Sequence, residues 1–256
     1  MNKKRRRPLA TISMFGVSFL HRQNPYMVAW WSAAFPGYGQ YLANQYLRAT
    51  LMTLSEKIIN TLAHINEAMV YTFCGEFASA KSVLQPRWVL GYLALYLYAI
   101  WDSYRSALVQ NKLCHIAELE DERLSPMLLH PLEIQYLEPK SPYTAALYSF
   151  FYPGLGQLYN HRFGLGFYAM FFWTLYMTLS RSHESIVMLI IGDIKESIAI
   201  LHPHWLLFMP SVLGGAVYHA FITAVEHNRL FRIEQRQFFT KRYRGSGIKI
   251  FSQAGG

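Results

Sequence analysis

Apolar residues in this chain gather in long uncharged stretches: Asn24–Leu47, Trp88–Trp101, Ser141–His161, Phe163–Ser180 and Ser197–Val225 contain no Asp, Glu, Lys or Arg. Several approach the roughly 20 residues that a membrane-spanning helix needs. The first stretch predicts something shorter. Pro25–Asn44 offers only about ten apolar residues before Pro36-Gly37, and at about 1.5 Å per residue that run reaches about halfway across a bilayer core of ~30 Å. Pro36 has no backbone donor, and Gly37 and Gly39 permit turn conformations, so the helix must kink or re-enter there. A break at membrane depth has to be shielded by protein. The amides of Gln40 and Gln157 can satisfy the freed backbone groups.

The pattern repeats 117 residues later. Asn24-Pro25-Tyr26, Ser32 and Pro36-Gly37-Tyr38-Gly39-Gln40 align with Ser141-Pro142-Tyr143, Ser149 and Pro153-Gly154-Leu155-Gly156-Gln157, and residues 24–113 share 21 identities in 90 positions with 141–230. Average composition would give about 5 or 6 by chance. The expected organisation is a basic lead over 1–23, a repeat over 24–113, an acidic polar linker over 114–140, a second repeat over 141–230 and a basic tail over 231–256. In a duplicated membrane unit a site is expected at the seam between copies.

Each repeat is expected to hold a kinked or re-entrant helix followed by two spanning helices. The second piece differs between copies. Gly164–Ile191 is almost wholly apolar through Leu179, whereas in copy one Leu47, Leu51, Leu54, Ile58, Leu62, Ile65 and Met69 form a stripe at helical spacing with Glu56, Lys57, Asn60 and His64 off it. A charge at bilayer centre costs about 2.5–3.5 kcal/mol on insertion scales, so Glu56 and Lys57 are expected to snorkel, pair, or line a polar path. The third piece opens with Pro-x-Trp and runs Trp88–Val109 and Trp205–Val225, with Asp102 and His219 in equivalent places. Residues 64–87 and 181–204 are expected to lie along the membrane surface as amphipathic segments.

Composition agrees with the membrane reading: 52% hydrophobic and 15% charged residues, against about 25% charged in an ordinary soluble domain. A large soluble helical core is the alternative. The net charge of +9 sits mainly at the flanks, with Lys3, Lys4, Arg5, Arg6, Arg7 and Arg22 before the first repeat and Arg229, Arg232, Arg236, Lys241, Arg242, Arg244 and Lys249 at the end of the second. Basic flanks on apolar helices are orientation signals. With no aromatic-interleaved patch or recognition helix, nucleic acid is not an expected partner. If the first piece re-enters, both termini are cytoplasmic, and basic residues divide 19 inside to 4 outside with Lys57 in the membrane. His21-Arg22-Gln23 follows the apolar run Leu9–Leu20 where a small-residue cleavage site would be needed, so the lead reads as uncleaved and amphipathic. Cys74 and Cys114 do not recur between copies, and no disulfide framework is indicated.

Pro153-Gly154-Leu155-Gly156-Gln157-Leu158-Tyr159-Asn160, followed by Gly164 and Gly166, resembles the Pro-Gly-Leu-Gly-Gln-x-Tyr-Asn turn of small bacterial membrane domains, including some N-terminal segments of sugar-transporter permeases. More loosely it is similar to the Gly-rich turn of the two-transmembrane domain family. The match covers about 40 residues per copy. Copy one departs from it, with Leu47 and Ala49 where copy two has Gly164 and Gly166. The resemblance implies a membrane helical hairpin and no catalytic residues.

No nucleophile-base motif, Walker loop, His-Glu-x-x-His or Gly-x-Gly-x-x-Gly is present, and no catalytic residue, cofactor site or metal site is assigned. The richest polar group is His183, Glu184, Asp193, His202 and His204, which reads as an interfacial surface, with divalent metal as its sharper alternative. The expected fold is therefore an all-α, multi-pass membrane bundle of two tandem repeats in a bacterial inner membrane. Its partners are the lipid bilayer and a membrane protein or a second copy. The expected role is a non-enzymatic scaffold or transporter-associated subunit. The alternatives are a small transporter or lipid-handling protein with a central cavity between repeats, and a membrane enzyme acting on lipid or cell-wall precursor through Asp102, His219, His202 or His204. The residues singled out are the turns Pro36, Gly37, Gly39, Gln40 and Pro153, Gly154, Gly156, Gln157, together with Glu56, Lys57 and Asn60.

Overall fold

A computed structural model describes residues 7–120 and 124–243. Most of the basic lead (Lys3–Arg6), Asp121 and Glu122 of the acidic cluster, and Arg244 and Lys249 of the tail lie outside the described residues. The molecule is mostly helical and of the all-α class, with two short hairpins that the helical expectation lacked.

The first of these hairpins, β1 (Ala10–Ser13) and β2 (Gly16–Phe19), is antiparallel, pairing Ala10 with Phe19 and Ser13 with Gly16. It occupies the stretch expected to be an amphipathic lead. Its inward residues Leu9, Val17 and Phe19 pack on Cys114, Ala117 and Leu230, so burial against two helices settles the backbone as strand. Next comes α1 (Pro25–Ala34), with the Asn24 side chain accepting from the N–H groups of Tyr26 and Met27 and Pro25 in the first turn. A short α2 (Tyr38–Leu42) doubles back after Pro36-Gly37. Gln23 Nε2 donates to the Leu42 carbonyl at 2.7 Å, bringing the two ends of this piece together. The piece is thus a helix–turn–helix that returns on itself.

From there α3 (Tyr46–Ala63) runs away over 18 residues, and α4 (Ile65–Phe73) and α5 (Phe77–Val83) fold over the far end. The 35-residue α6 (Pro86–Glu120) then returns. Gln85 N–H donates to the Ala63 carbonyl at 3.3 Å, closing the far end. Helix α6 continues through the boundary placed at 113/114 and takes up part of the expected linker.

The second half follows element by element: β3 (Met127–His130), β4 (Glu133–Tyr136), α7 (Pro142–Phe151), α8 (Leu155–Tyr159), α9 (Phe163–Leu179), α10 (Ser182–Ile191), α11 (Ile194–Ala199), α12 (Pro203–Leu206) and α13 (Met209–Arg242). Each helix through α12, and each strand, begins 117 residues after its counterpart, and α12 with α13 stands where α6 stands. The β3–β4 hairpin, which pairs Met127 with Tyr136, occupies the rest of the expected linker. Bonds recur with the elements: Asn111 exchanges two hydrogen bonds with the Gln23 backbone, and Asn228 does the same with Lys140.

Small residues let the helices approach closely. Ala99, Ser103 and Ala107 of α6 are buried, and Ala145 of α7 packs on Ala220 and Ala224 of α13. Outward faces are apolar. On α3, Leu47 is 77% exposed and Ile58 61%, while Glu56 and Asn60 are 2% and 1%. Leu90, Leu93, Leu97 and Trp101 on α6, and Phe167 and Phe171 on α9, also face out. Among the described residues the helical run Pro203–Arg242 is long and apolar enough to cross a membrane. Helices α9 and α10 pass the same test only together, across a 62° bend. Helix α3 carries three charges, Arg48, Glu56 and Lys57, and so lacks the uniform apolarity expected of a span.

Candidate functional site

The two Pro-Gly-x-Gly-Gln turns are buried structural pivots. Pro36 and Pro153 each precede a glycine with positive φ, +96° at Gly37 and +112° at Gly154. A Cβ on Gly37 would fall 2.8 Å from the Ala49 carbonyl oxygen, and one on Gly39 2.6 Å from that of Val28; Gly156 faces a similar approach to Ala145. Gln40 is fully buried. Its Oε1 accepts from Ser32 Oγ at 3.3 Å, and its Nε2 donates to the Ala99 carbonyl and to Asp102 Oδ2, both at 3.1 Å. Gln157 repeats the arrangement with Ser149 Oγ at 3.1 Å and the Ala216 carbonyl at 2.9 Å. Contrary to expectation, the amides do not take up the backbone groups freed at the break; each donates to a carbonyl of the helix opposite, while Ser32 Oγ accepts from the Gly39 N–H at 3.0 Å.

Asp102 and His219 occupy corresponding positions with different chemistry. Asp102 is buried and takes Arg48 Nη1 at 3.1 Å, which neutralises it beside Gln40. Where Arg48 stands in the first half the second has Leu165, and buried His219 contacts Thr223 Oγ1 at 3.4 Å. A carboxylate needs its cation; a neutral imidazole does not.

Glu56 and Lys57 do not form an ion pair. Adjacent residues on a helix point to different faces, and the two groups find different neighbours. Asn60 Nδ2 donates to Glu56 Oε1 and to Asn66 Oδ1, each at 3.0 Å, and Asn66 Nδ2 donates to the His204 carbonyl at 2.8 Å. This polar chain crosses from the first half to the second. Lys57 lies on the seam itself, its Nζ 4.9 Å from the Phe35 ring centre, 5.1 Å from Phe172 and 5.5 Å from Tyr176, with the Thr53 carbonyl at 3.4 Å. Three rings around one ammonium stabilise it in place of water. Thus neither snorkelling nor mutual pairing describes these two groups.

The seam cavity is small, about 70 Å³, and Phe35, Tyr38, Lys57, Gln157, Tyr176 and His219 help to line it. His202 and His204 are not gathered into a ligand set. His202 caps α12, and its N–H donates to the Ser180 carbonyl. His204 Nε2 sits 3.0 Å from Thr61 Oγ1, while Glu184 pairs with Arg181. Among the described residues no three His, Cys, Asp or Glu side chains converge on a point that could hold a metal ion. The arrangement can hold two halves together and neutralise buried charge.

Sequence reasoning missed Arg48, Arg162 and the aromatic cage. Arg48 faces Asp102 from 54 positions away, and nothing local marks that pairing. For the cage a signal existed, since Phe172 and Tyr176 fall at helical spacing on α9. Comparison with family models, curated proteins and solved structures finds no match to this chain.

Proposed function

We propose that this chain is an integral protein of a bacterial inner membrane, built from two tandem copies and acting without catalysis as a scaffold or transporter-associated subunit. One observation carries the membrane reading: α3 turns Leu47, Leu51, Leu54 and Ile58 outward and buries Glu56 and Asn60. In water such an arrangement would expose apolar surface and desolvate charge at once, whereas in lipid both choices are favourable. The offset of 117 residues in elements and hydrogen bonds supports the duplication. Since each unit leaves and re-enters at the same end, the copies would lie parallel about an axis along the membrane normal, with both termini cytoplasmic. The turn that resembles small bacterial membrane domains agrees with this reading.

The seam favours a scaffold over a transporter with a central cavity. A space of about 70 Å³, lined by Lys57 and the rings of Phe35, Phe172 and Tyr176, is small for a transport cavity. Two measurements test the reading. Nitroxides at Leu51, Ile58 and Leu93 in proteoliposomes should be relaxed by oxygen rather than by a water-soluble nickel chelate; nickel dominance at these sites overturns the membrane reading. Purification from native membranes should yield a co-purifying membrane protein. Recovery of the chain alone, with ion or lipid flux in proteoliposomes, replaces the scaffold by a transporter.

A further inference from the structure

A second pocket, about 320 Å³, opens between the β1–β2 hairpin and the start of α9. Its polar lining includes Ser18, Tyr46, Thr50 and Arg162, and its wall includes Gly164 in the first turn of α9. Arg162 is 4% exposed, and among the described residues no carboxylate pairs with it. Its Nη1 donates to Asn44 Oδ1 at 3.0 Å and to the Tyr46 hydroxyl, while Nε has no partner. The guanidinium carbon lies 4.7 Å from the Phe19 ring centre. A buried guanidinium without a counter-charge is costly, and a bound anion would remove that cost.

Two further features point the same way. Helix α9 runs 17 residues with Arg162 as its N-cap and no side-chain cap, so no side chain takes up the N–H groups of its first turn, where Gly164 and Leu165 line the same pocket as Arg162. A Cβ at Gly164 would meet only Phe15, at 3.8 Å, which leaves room for a ligand to approach the backbone. The cation also acts on its surroundings: burial, then Arg162 and Arg229, pull the His21 imidazole down to about 4.

We propose that this pocket binds a phosphate-type anion, held in a fork by Arg162 and by the first-turn N–H groups of α9. Phe15, Val17 and Leu165 supply an apolar flank, so the anion can be free phosphate or the headgroup of an anionic phospholipid. The site goes beyond the scaffold reading, and its detergent arm is independent of any partner.

The test uses the full chain in detergent. Thermal unfolding is followed against inorganic phosphate, with chloride at matched ionic strength, and against short-chain phosphatidylglycerol, with phosphatidylcholine as control. Phosphate should raise the melting temperature beyond chloride. Arg162→Gln should weaken the apparent affinity about tenfold or more, with Arg162→Lys in between, because lysine keeps the charge and loses the fork. Should Arg162→Gln not fold, Gly164→Leu fills the pocket while keeping the bonds to Asn44 and Tyr46, and it should bind at least as poorly. Tighter binding of phosphatidylglycerol that phosphate displaces assigns the site to a headgroup; equal affinities assign it to free phosphate. Either supports the site. A wild-type chain that responds to both anions no more than to chloride, or Arg162→Gln and Gly164→Leu variants that bind like wild type, overturns it.

Discussion

Gln40 and Gln157 hold corresponding places yet carry different loads. Gln40 bridges Ser32, the Ala99 carbonyl and Asp102, and Asp102 in turn depends on Arg48. Gln157 serves only Ser149 and the Ala216 carbonyl. Leaving a buried polar group unsatisfied costs about 1–3 kcal/mol, more when the group is charged. Gln40→Leu should therefore destabilise by about 3–4 kcal/mol and Gln157→Leu by about 1–3, read as urea or thermal unfolding in detergent. Equal losses would mean that Asp102 is held by Arg48 alone. Both glutamines were legible in the sequence because they recur in the motif. Their unequal partners were not, since Arg48 and Leu165 occupy one repeat position and neither type by itself announces a contact.

At the scale of elements, the Pro-Gly turn makes α1 and α2 a returning pair rather than one bent span. Gly37 is constrained twice, by its φ of +96° and by the Ala49 carbonyl 2.8 Å from any Cβ. Gly37→Val should cost about 3–5 kcal/mol, because left-handed strain and a backbone clash add. Gly91 on α6, with open space around it, is the control. Gly91→Ala should be neutral or slightly stabilising, by up to about 1 kcal/mol. Folded yield and unfolding midpoints of the two variants check the contrast; a Gly37→Val chain as stable as wild type would mean that the turn relaxes. The hairpins were the elements least visible beforehand. Between residues 7–23 and 124–140 the identical pair at the 117-residue offset is Leu20 with Leu137, so their equivalence lies in backbone pairing rather than side-chain identity.

For the whole molecule, the hydrogen bonds that close each unit place both hairpins at one end and α4–α5 with α10–α11 at the other. Cys74 is exposed at the far end and Cys114 buried at the near end, which supplies a native topology probe. If the chain sits in an inner membrane with both termini cytoplasmic, as proposed, an impermeant maleimide added to intact cells with a permeabilised outer layer should modify Cys74. Ser125→Cys, exposed beside β3, should react only after the inner membrane is opened. Labelling of Ser125→Cys from outside, with Cys74 protected, would invert the orientation. Labelling of both from outside would place the two ends on one side and remove the membrane crossing.

The sequence by itself determined the helical class, the 117-residue offset of identities, the breaks at Pro36-Gly37 and Pro153-Gly154, and the equivalent places of Asp102 and His219, because each rests on local composition or on side-chain identity at a fixed spacing. Tertiary structure alone decided that the piece Pro25–Leu42 turns back, since that depends on Gln23 meeting Leu42. It also decided the two hairpins, whose strands are shaped by burial against α6 and α13. Glu56 and Lys57 show the division most plainly. Their presence in an apolar helix was readable, but adjacent side chains diverge around a helix, so Asn60 for one and Phe35, Phe172 and Tyr176 for the other emerged only when the two halves packed.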